Sequence, residues 1–305
     1  MQNKTERKFG IFLPTFWSDY GLRSTAQAMR EVALAADELG FDSLWACDHI
    51  VNSEKHAGSA RCLEPLILMS YLVQQFPRLH FGTDVLVLPQ RNAILVAKQA
   101  ASLSVLSEGR FILGIGAGWS EDEFRYLGAD FERRGAHTDE AIALMKVLWR
   151  QTPTSFEGNF YNFKDAWFYP KPEGDGPPIW VGGSSPAALQ RAARYGDAWM
   201  PFWGKWESFT HDLSKFRRQV QHLRASESGQ TLKIAANVPL RIASESVEFA
   251  TDTPQTAEQI IDALQLYLEA GLEYVIWNIQ SNELIDYIKQ MRLAVEKVMP
   301  AIQGV

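Results

Sequence analysis

Eight short segments, apolar at nearly every position, recur along the chain, and stretches with helical spacing lie between them. They are Phe9–Pro14, Asp42–Cys47, Leu79–Leu88, Phe111–Ile115, Ile179–Val181, Ala198–Pro201, Leu232–Pro239 and Tyr274–Asn278. A strand that is apolar on both faces needs both faces buried, as in a parallel sheet covered by helices. The intervening residues supply those helices. Ser24 can cap one over Thr25–Leu39 that Gly40 stops. Others are expected over Glu64–Phe76, Asn92–Leu106, His137–Arg150, Pro186–Tyr195, Trp206–Ala225, Gln255–Ala270 and Glu283–Val298. Eight alternations favour a closed (β/α)8 barrel, the TIM barrel of the α/β class, over an open doubly wound sheet.

One stretch departs from the alternation. Gln151–Pro178 has no helical pattern; Thr154–Phe163 reads as a hairpin turning at Glu157–Gly158–Asn159, and KPEGDGPP as a surface loop. The alternation resumes afterwards, so this is an insertion before strand five. Residues 1–305 are therefore expected to form a single barrel domain. The net charge of −6 argues against a nucleic-acid or anionic-membrane surface. The polar start MQNKTERKFG lacks the apolar core of a signal peptide, and no apolar run is long enough to span a bilayer. With only Cys47 and Cys62, a disulfide framework is not the source of stability, and a reducing cytoplasm fits.

In such a barrel the chemistry sits where the strands end. Asp48–His49 ends strand two; a carboxylate beside an imidazole can move a proton, and equally the His can be a structural one held by hydrogen bonds. Gly116, Ala117 and Gly118 let a ligand approach the backbone, or simply make a tight barrel turn. Gly182, Gly183, Ser184 and Ser185 precede Pro186 at a helix start, a place for a phosphate or for plain serine capping. In Gly82–Thr83–Asp84–Val85 the Gly and the Asp disfavour a strand, which marks a bulge or a peptide held against a ligand. Trp17, Trp119 and Trp203 fall just past strand ends and can wall an apolar pocket. Trp45, Trp180 and Trp199 lie within strands and read as packing. The run Glu121–Asp122–Glu123 reads as the solvated first turn of a helix. Cys47, Asp48, His49, His56 and Cys62 match no zinc spacing, and FGIFLP lacks the His-x-His of metal hydrolase barrels, so no metal site is read.

Three segments, GRFILGIGAGWSEDEF, PPIWVGGSSPAALQRAARYGDAWMP and RNAILVAKQAASLSVLS, together resemble the bacterial luciferase-like monooxygenase superfamily. The resemblance runs from FGIFLP to strand eight. It implies a luciferase-like TIM barrel, commonly a homodimer, that binds FMN or the deazaflavin coenzyme F420 at the strand C-termini. It further implies that the Asp84–Val85 peptide is a non-prolyl cis bond backing the ring. Gly116–Gly118 would lie beside the ring and ribityl chain, and Gly182–Ser185 would grip the phosphate. Asp48–His49 resembles the Asp–His pair of the deazaflavin branch, with His49 near the reacting carbon. Trp119 stands where the sugar-phosphate dehydrogenases of that branch carry a catalytic Glu, which counts against that substrate class.

The resulting expectation is an F420-dependent oxidoreductase that moves a hydride to or from a small apolar molecule. The alternative is an FMN monooxygenase fed by a separate flavin reductase, using O2. A non-catalytic flavin-binding protein and a metal hydrolase are the readings of other classes.

Overall fold

The structure is a computed structural model that describes residues 7–16, 23–56, 61–203, 205–243 and 255–303. Its strands are β1 (Lys8–Phe12), β2 (Ser43–Ala46), β3 (His80–Thr83), β4 (Leu86–Val87), β5 (Phe111–Gly116), β6 (Thr154–Glu157), β7 (Asn162–Ala166), β8 (Ile179–Gly182), β9 (Ala198–Met200), β10 (Lys233–Leu240) and β11 (Tyr274–Ile279). All but β6 and β7 form one sheet in the order β3-β2-β1-β11-β10-β9-β8-β5-β4. Its pairings are parallel, and β3 also pairs with β5 through Phe81–Phe111 and Gly82–Ile112, which closes the barrel. β3 and β4 are halves of one stave, so eight staves result.

Two apolar layers follow from the alternation of side chains along each strand. One set packs outward against the helices, and the other fills the barrel with Phe12, Trp45, Ile112, Trp180, Met200, Tyr274 and Ile276. Trp45 dominates the interior. Its indole lies against Gly10 on one neighbouring strand and Gly82 on the other, where any Cβ would collide with it. Its Nε1 donates to Ser43 Oγ at 2.6 Å, which shares a hydrogen bond with the Tyr274 hydroxyl, and its ring centroid is 4.7 Å from that of Trp180. Gly82 therefore makes room for a tryptophan rather than for a ligand.

Most helices form where their caps put them. Ser24 accepts from Gln27 N and Gln27 returns the bond to the Ser24 amide, a capping box that starts Thr25–Glu38. Two expected helices are divided. Trp206–Ala225 is Trp206–His211 and Leu213–Arg224, broken at Asp212, whose carboxylate accepts from Trp203 Nε1. Glu283–Val298 runs as Leu284–Leu293 and then widens into a π turn over Ala294–Val298. Pro300 has no N–H to offer the Glu296 carbonyl one turn earlier, and the widened turn precedes it.

The insertion is the expected hairpin, with β6 and β7 antiparallel in a sheet of their own. Glu140 on the helix Arg134–Arg150 holds its turn, accepting from the amides of Asn159, Phe160 and Tyr161 at 2.7–2.9 Å. The Tyr161 hydroxyl in turn accepts from Ala93 N, the first residue of the helix Ala93–Leu106.

Candidate active site

The strand ends that the sequence singles out meet at one mouth of the barrel, but the pair Asp48–His49 is split there. Asp48 is buried. Its carboxylate takes both Nη atoms of Arg91 at 2.8 Å and the Val87 amide at 2.8 Å. Burial pushes its pKa up to about 6 against the pull of Arg91 and Val87. With its lone pairs committed to a bidentate guanidinium and a backbone N–H, Asp48 ties β2 to the segment after β4. Its hydrogen bonds thus go to Arg91 and Val87, and none of them goes to His49.

The carboxylate that reaches His49 is Glu123, on the short helix Glu121–Tyr126 after β5. Its Oε2 lies 3.5 Å from His49 Nδ1, and its Oε1 accepts from the amides of Ile50 (2.7 Å) and Val51 (3.3 Å). Glu123 is 1% exposed, so the acidic run is not a uniformly solvated turn. Burial disfavours the imidazolium of His49, but the hydrogen bond and charge of Glu123 outweigh it and the pKa is raised. Glu123 itself is lowered: burial acts against its ionised form, and His49, Gln90 and Ile50 N together overcome it. Asn52 Nδ2 stands 3.3 Å from the same Nδ1, and Asn52 Oδ1 accepts from Ser120 Oγ. The exposed Trp119 meets the His49 and His56 rings edge-on, at centroid distances of 5.9 and 4.8 Å.

Sequence reading missed Glu123 because the run Glu121–Asp122–Glu123 reads as the solvated first turn of a helix, where negative charge suits the dipole. Here Ser120 does accept from Glu123 N, while the carboxylate crosses to the β2 loop. The available signal was Phe124: a fully buried residue next to Glu123 shows that this side of the turn faces inward.

The Asp84–Val85 peptide is cis. The Val85 side chain is seated between the two glycine-rich turns: a Cβ on Gly116 would lie 2.6 Å from its Cγ2, and one on Gly182 2.7 Å from its Cγ1. A Cβ on Gly118 would meet Val87 and Phe124. The Cβ positions of these glycines are thus taken by protein side chains, so each glycine lets Val85, Val87 or Phe124 pack against its backbone; Ala117 between Gly116 and Gly118 is half-buried. Asp84 accepts from Asn237 Nδ2 at 2.6 Å, and burial raises its pKa to about 6 although Asn237 works the other way. Asn237 is fully buried, and its Oδ1 has no hydrogen-bond partner. In the second turn Gly183 (φ 106°) and Ser185 are exposed, ahead of the ten-residue helix Pro186–Tyr195. Ser185 Oγ caps that helix through Ala188 N, Gly183 N donates to Met200 O, and Ser184 O accepts from Gln219.

Residues 7–299 match the luciferase-like monooxygenase family. The chain belongs to that family. An F420-dependent glucose-6-phosphate dehydrogenase of Amycolatopsis mediterranei is 26% identical over 90% of this chain and 94% of its own length. One of Kineococcus radiotolerans is 31% identical over 76% of this chain and 70% of its own. Among solved structures, the monooxygenase RslO1 from Streptomyces bottropensis superposes with a TM-score of 0.81 at 19% identity, covering 96% of this chain and 99% of its own. An F420-dependent secondary alcohol dehydrogenase with an F420–acetone adduct gives 0.77 at 19%, covering 98% and 100%.

In this luciferase-like chain the three candidate pocket tryptophans part company. Trp119 stands exposed at the mouth. Trp203 lies further inside. It is 6% exposed and packs on Phe209, Phe216 and Tyr267 among the helices, because its Nε1 is drawn to Asp212. Trp17 lies outside the described residues.

Proposed function

We propose that this chain is a coenzyme F420-dependent oxidoreductase acting on a small alcohol or carbonyl compound at the barrel mouth, with the whole chain as one barrel domain. The observation that carries the reading is His49, held by a buried carboxylate at a strand C-terminus of a barrel whose named relatives use F420. A deazaflavin, when bound, supplies a carbon that takes or gives a hydride and reacts poorly with oxygen.

The residues present fit such a group. The orphaned Asn237 Oδ1, beside Asp84, calls for a hydrogen-bond donor that the protein itself does not provide. Asp84 and Val85 would back the ring, Gly116–Gly118 would flank it, and the exposed Gly183–Ser185 turn, with a ten-residue helix behind it, would hold the phosphate. His49 would exchange the proton of the substrate hydroxyl. Trp119 would form an apolar wall above it, which suits a small apolar substrate. Arg91 is committed to Asp48 and Glu64, so it is not offered to a sugar phosphate.

The apolar side chains exposed on the neighbouring helices Pro65–Leu72 (Ile67, Tyr71) and Ala93–Leu106 (Ile94, Leu95) support a homodimer through that face. Among the described residues no helix is long and apolar enough to cross a membrane. A cytoplasmic location belongs to the same proposal.

The test is to titrate the purified protein with F420 and with FMN, and then to assay each loaded form with a panel of secondary alcohols, ketones and glucose 6-phosphate. Bleaching of F420 by an alcohol is the expected result. Tight binding of FMN alone, with oxygen-dependent turnover once a separate reductase is added, would replace this reading with a two-component monooxygenase. Binding of either without turnover would leave a flavin carrier.

A further inference from the structure

The surroundings of His49 hold an unresolved competition. Neutral imidazole carries one proton, on Nδ1 or on Nε2, and the bonds made by one nitrogen decide what the other can do. Nδ1 has two neighbours of opposite demand. Glu123 Oε2, at 3.5 Å, is an acceptor and needs Nδ1 to carry hydrogen; Asn52 Nδ2, at 3.3 Å, is a donor and needs Nδ1 bare. In the first case Nε2 has its lone pair free; in the second it carries the proton.

Charge decides between them. Glu123 is 2% exposed at its side chain, and the neighbours that bind it include the neutral amides of Ile50 and Val51. A buried carboxylate is costly unless paired and hydrogen-bonded, so the proton on Nδ1 satisfies the larger demand. Asn52 can follow: turned over, its Oδ1 accepts from Nδ1 and its amide donates to Ser120 Oγ, a hydroxyl that can act either way. The other titratable groups facing the ring, Cys62 and Asp48, push its pKa in the same direction as Glu123.

We propose that Glu123 is the positioning residue of this site: its buried carboxylate holds the Nδ1–H of His49 and leaves Nε2 as the nitrogen that exchanges a proton with substrate. The catalytic consequence rests on the reading of His49 as the proton carrier; the tautomer does not.

The experiment is 15N NMR of the histidine rings in the full chain without cofactor, with the His49 signals assigned by their loss in His49→Gln. In the wild-type protein, neutral His49 should show a protonated Nδ1 and a bare Nε2. Glu123→Gln keeps an oxygen for the Ile50 and Val51 amides but removes the charge. In that variant the His49 midpoint should fall, and the Nε2–H form should gain. With the loaded enzyme, Glu123→Gln should lower kcat roughly tenfold or more, within the 10²–10⁴-fold that a general acid or base supplies, shift the limb of its pH profile with the NMR midpoint, and leave the KM for cofactor unmoved. Neutral wild-type His49 protonated on Nε2 overturns the proposal, as does an unshifted midpoint in Glu123→Gln. Should that variant not fold, the wild-type tautomer still decides. If the tautomer is as stated and His49→Gln turns over at the wild-type rate, the positioning stands and the proton-carrier reading fails.

Discussion

Replacing Gly116 with alanine should strain the barrel mouth through one side chain, and shortening that side chain should relieve it. The new Cβ would lie 2.6 Å from Val85 Cγ2, whereas ordinary contact begins near 3.4 Å, so Val85 must retreat by about 0.8 Å. It has little room, since its other methyl faces Gly182 at a position where a Cβ would be 2.7 Å away. Overpacking of this kind costs about 1–3 kcal/mol. At roughly 2–4 °C per kcal/mol, Gly116→Ala should melt about 2–12 °C below the wild-type protein. Val85→Ala empties the seat, so the double variant should recover about 1–2 kcal/mol of the loss. Gly118→Ala, which meets Val87 and Phe124, should gain nothing from Val85→Ala. Urea unfolding of the four proteins in each cycle measures the coupling. Additive effects for Gly116 and Val85, within about 0.5 kcal/mol, would refute the argument that the glycine exists to seat the valine.

Asp48→Asn keeps an acceptor for the Val87 amide but turns an NH2 group toward Arg91, so stability should fall by about 3 kcal/mol, moderated by the Glu64 contact on Arg91. A variant as stable as wild type, but inactive, would restore Asp48 to catalysis. The His49–Glu123 pair sets a pH window. His49 is raised in the fold, so its contribution is full below its ordinary 6.5 and is lost as pH rises through the folded value. Glu123 is lowered, so its contribution is present above its ordinary 4.5 and is lost as pH falls through the folded value. The stability difference between wild type and Glu123→Gln should therefore be largest between about pH 4.5 and 6.5; a pH-independent difference would contradict the pairing. Glu140→Gln should speed amide exchange at Asn159–Tyr161 by roughly tenfold through weaker charge-assisted hydrogen bonds, while the barrel amides keep their protection.

The sequence speaks clearly where one local rule decides. Helix Pro186–Tyr195 begins and ends where its Ser-Pro start and apolar spacing put it, and the 154–166 hairpin turns where glycine allows. It speaks poorly where two elements compete for one group. Trp206–Ala225 has unbroken helical spacing, yet it divides at Asp212, where Trp203 Nε1 donates to the carboxylate. The same contact carries Trp203 into the helical layer. Asp48 and His49 are adjacent in the chain, yet their partners, Arg91 and Glu123, are 43 and 74 residues further on, and no spacing announces either. The glycines were legible as places of close approach; what approaches them, Trp45 and Val85, needed coordinates.

Trp45, laid across Gly10 and Gly82 and backed by Trp180 and Tyr274, has a kinetic meaning. Among the described residues it fills the barrel interior, so the mouth has a floor. Two reactants that meet above such a floor share a single way in and out. For the cofactor and substrate proposed above, whichever lay deeper would have to arrive first and depart last, so the plug would impose an order on binding and release.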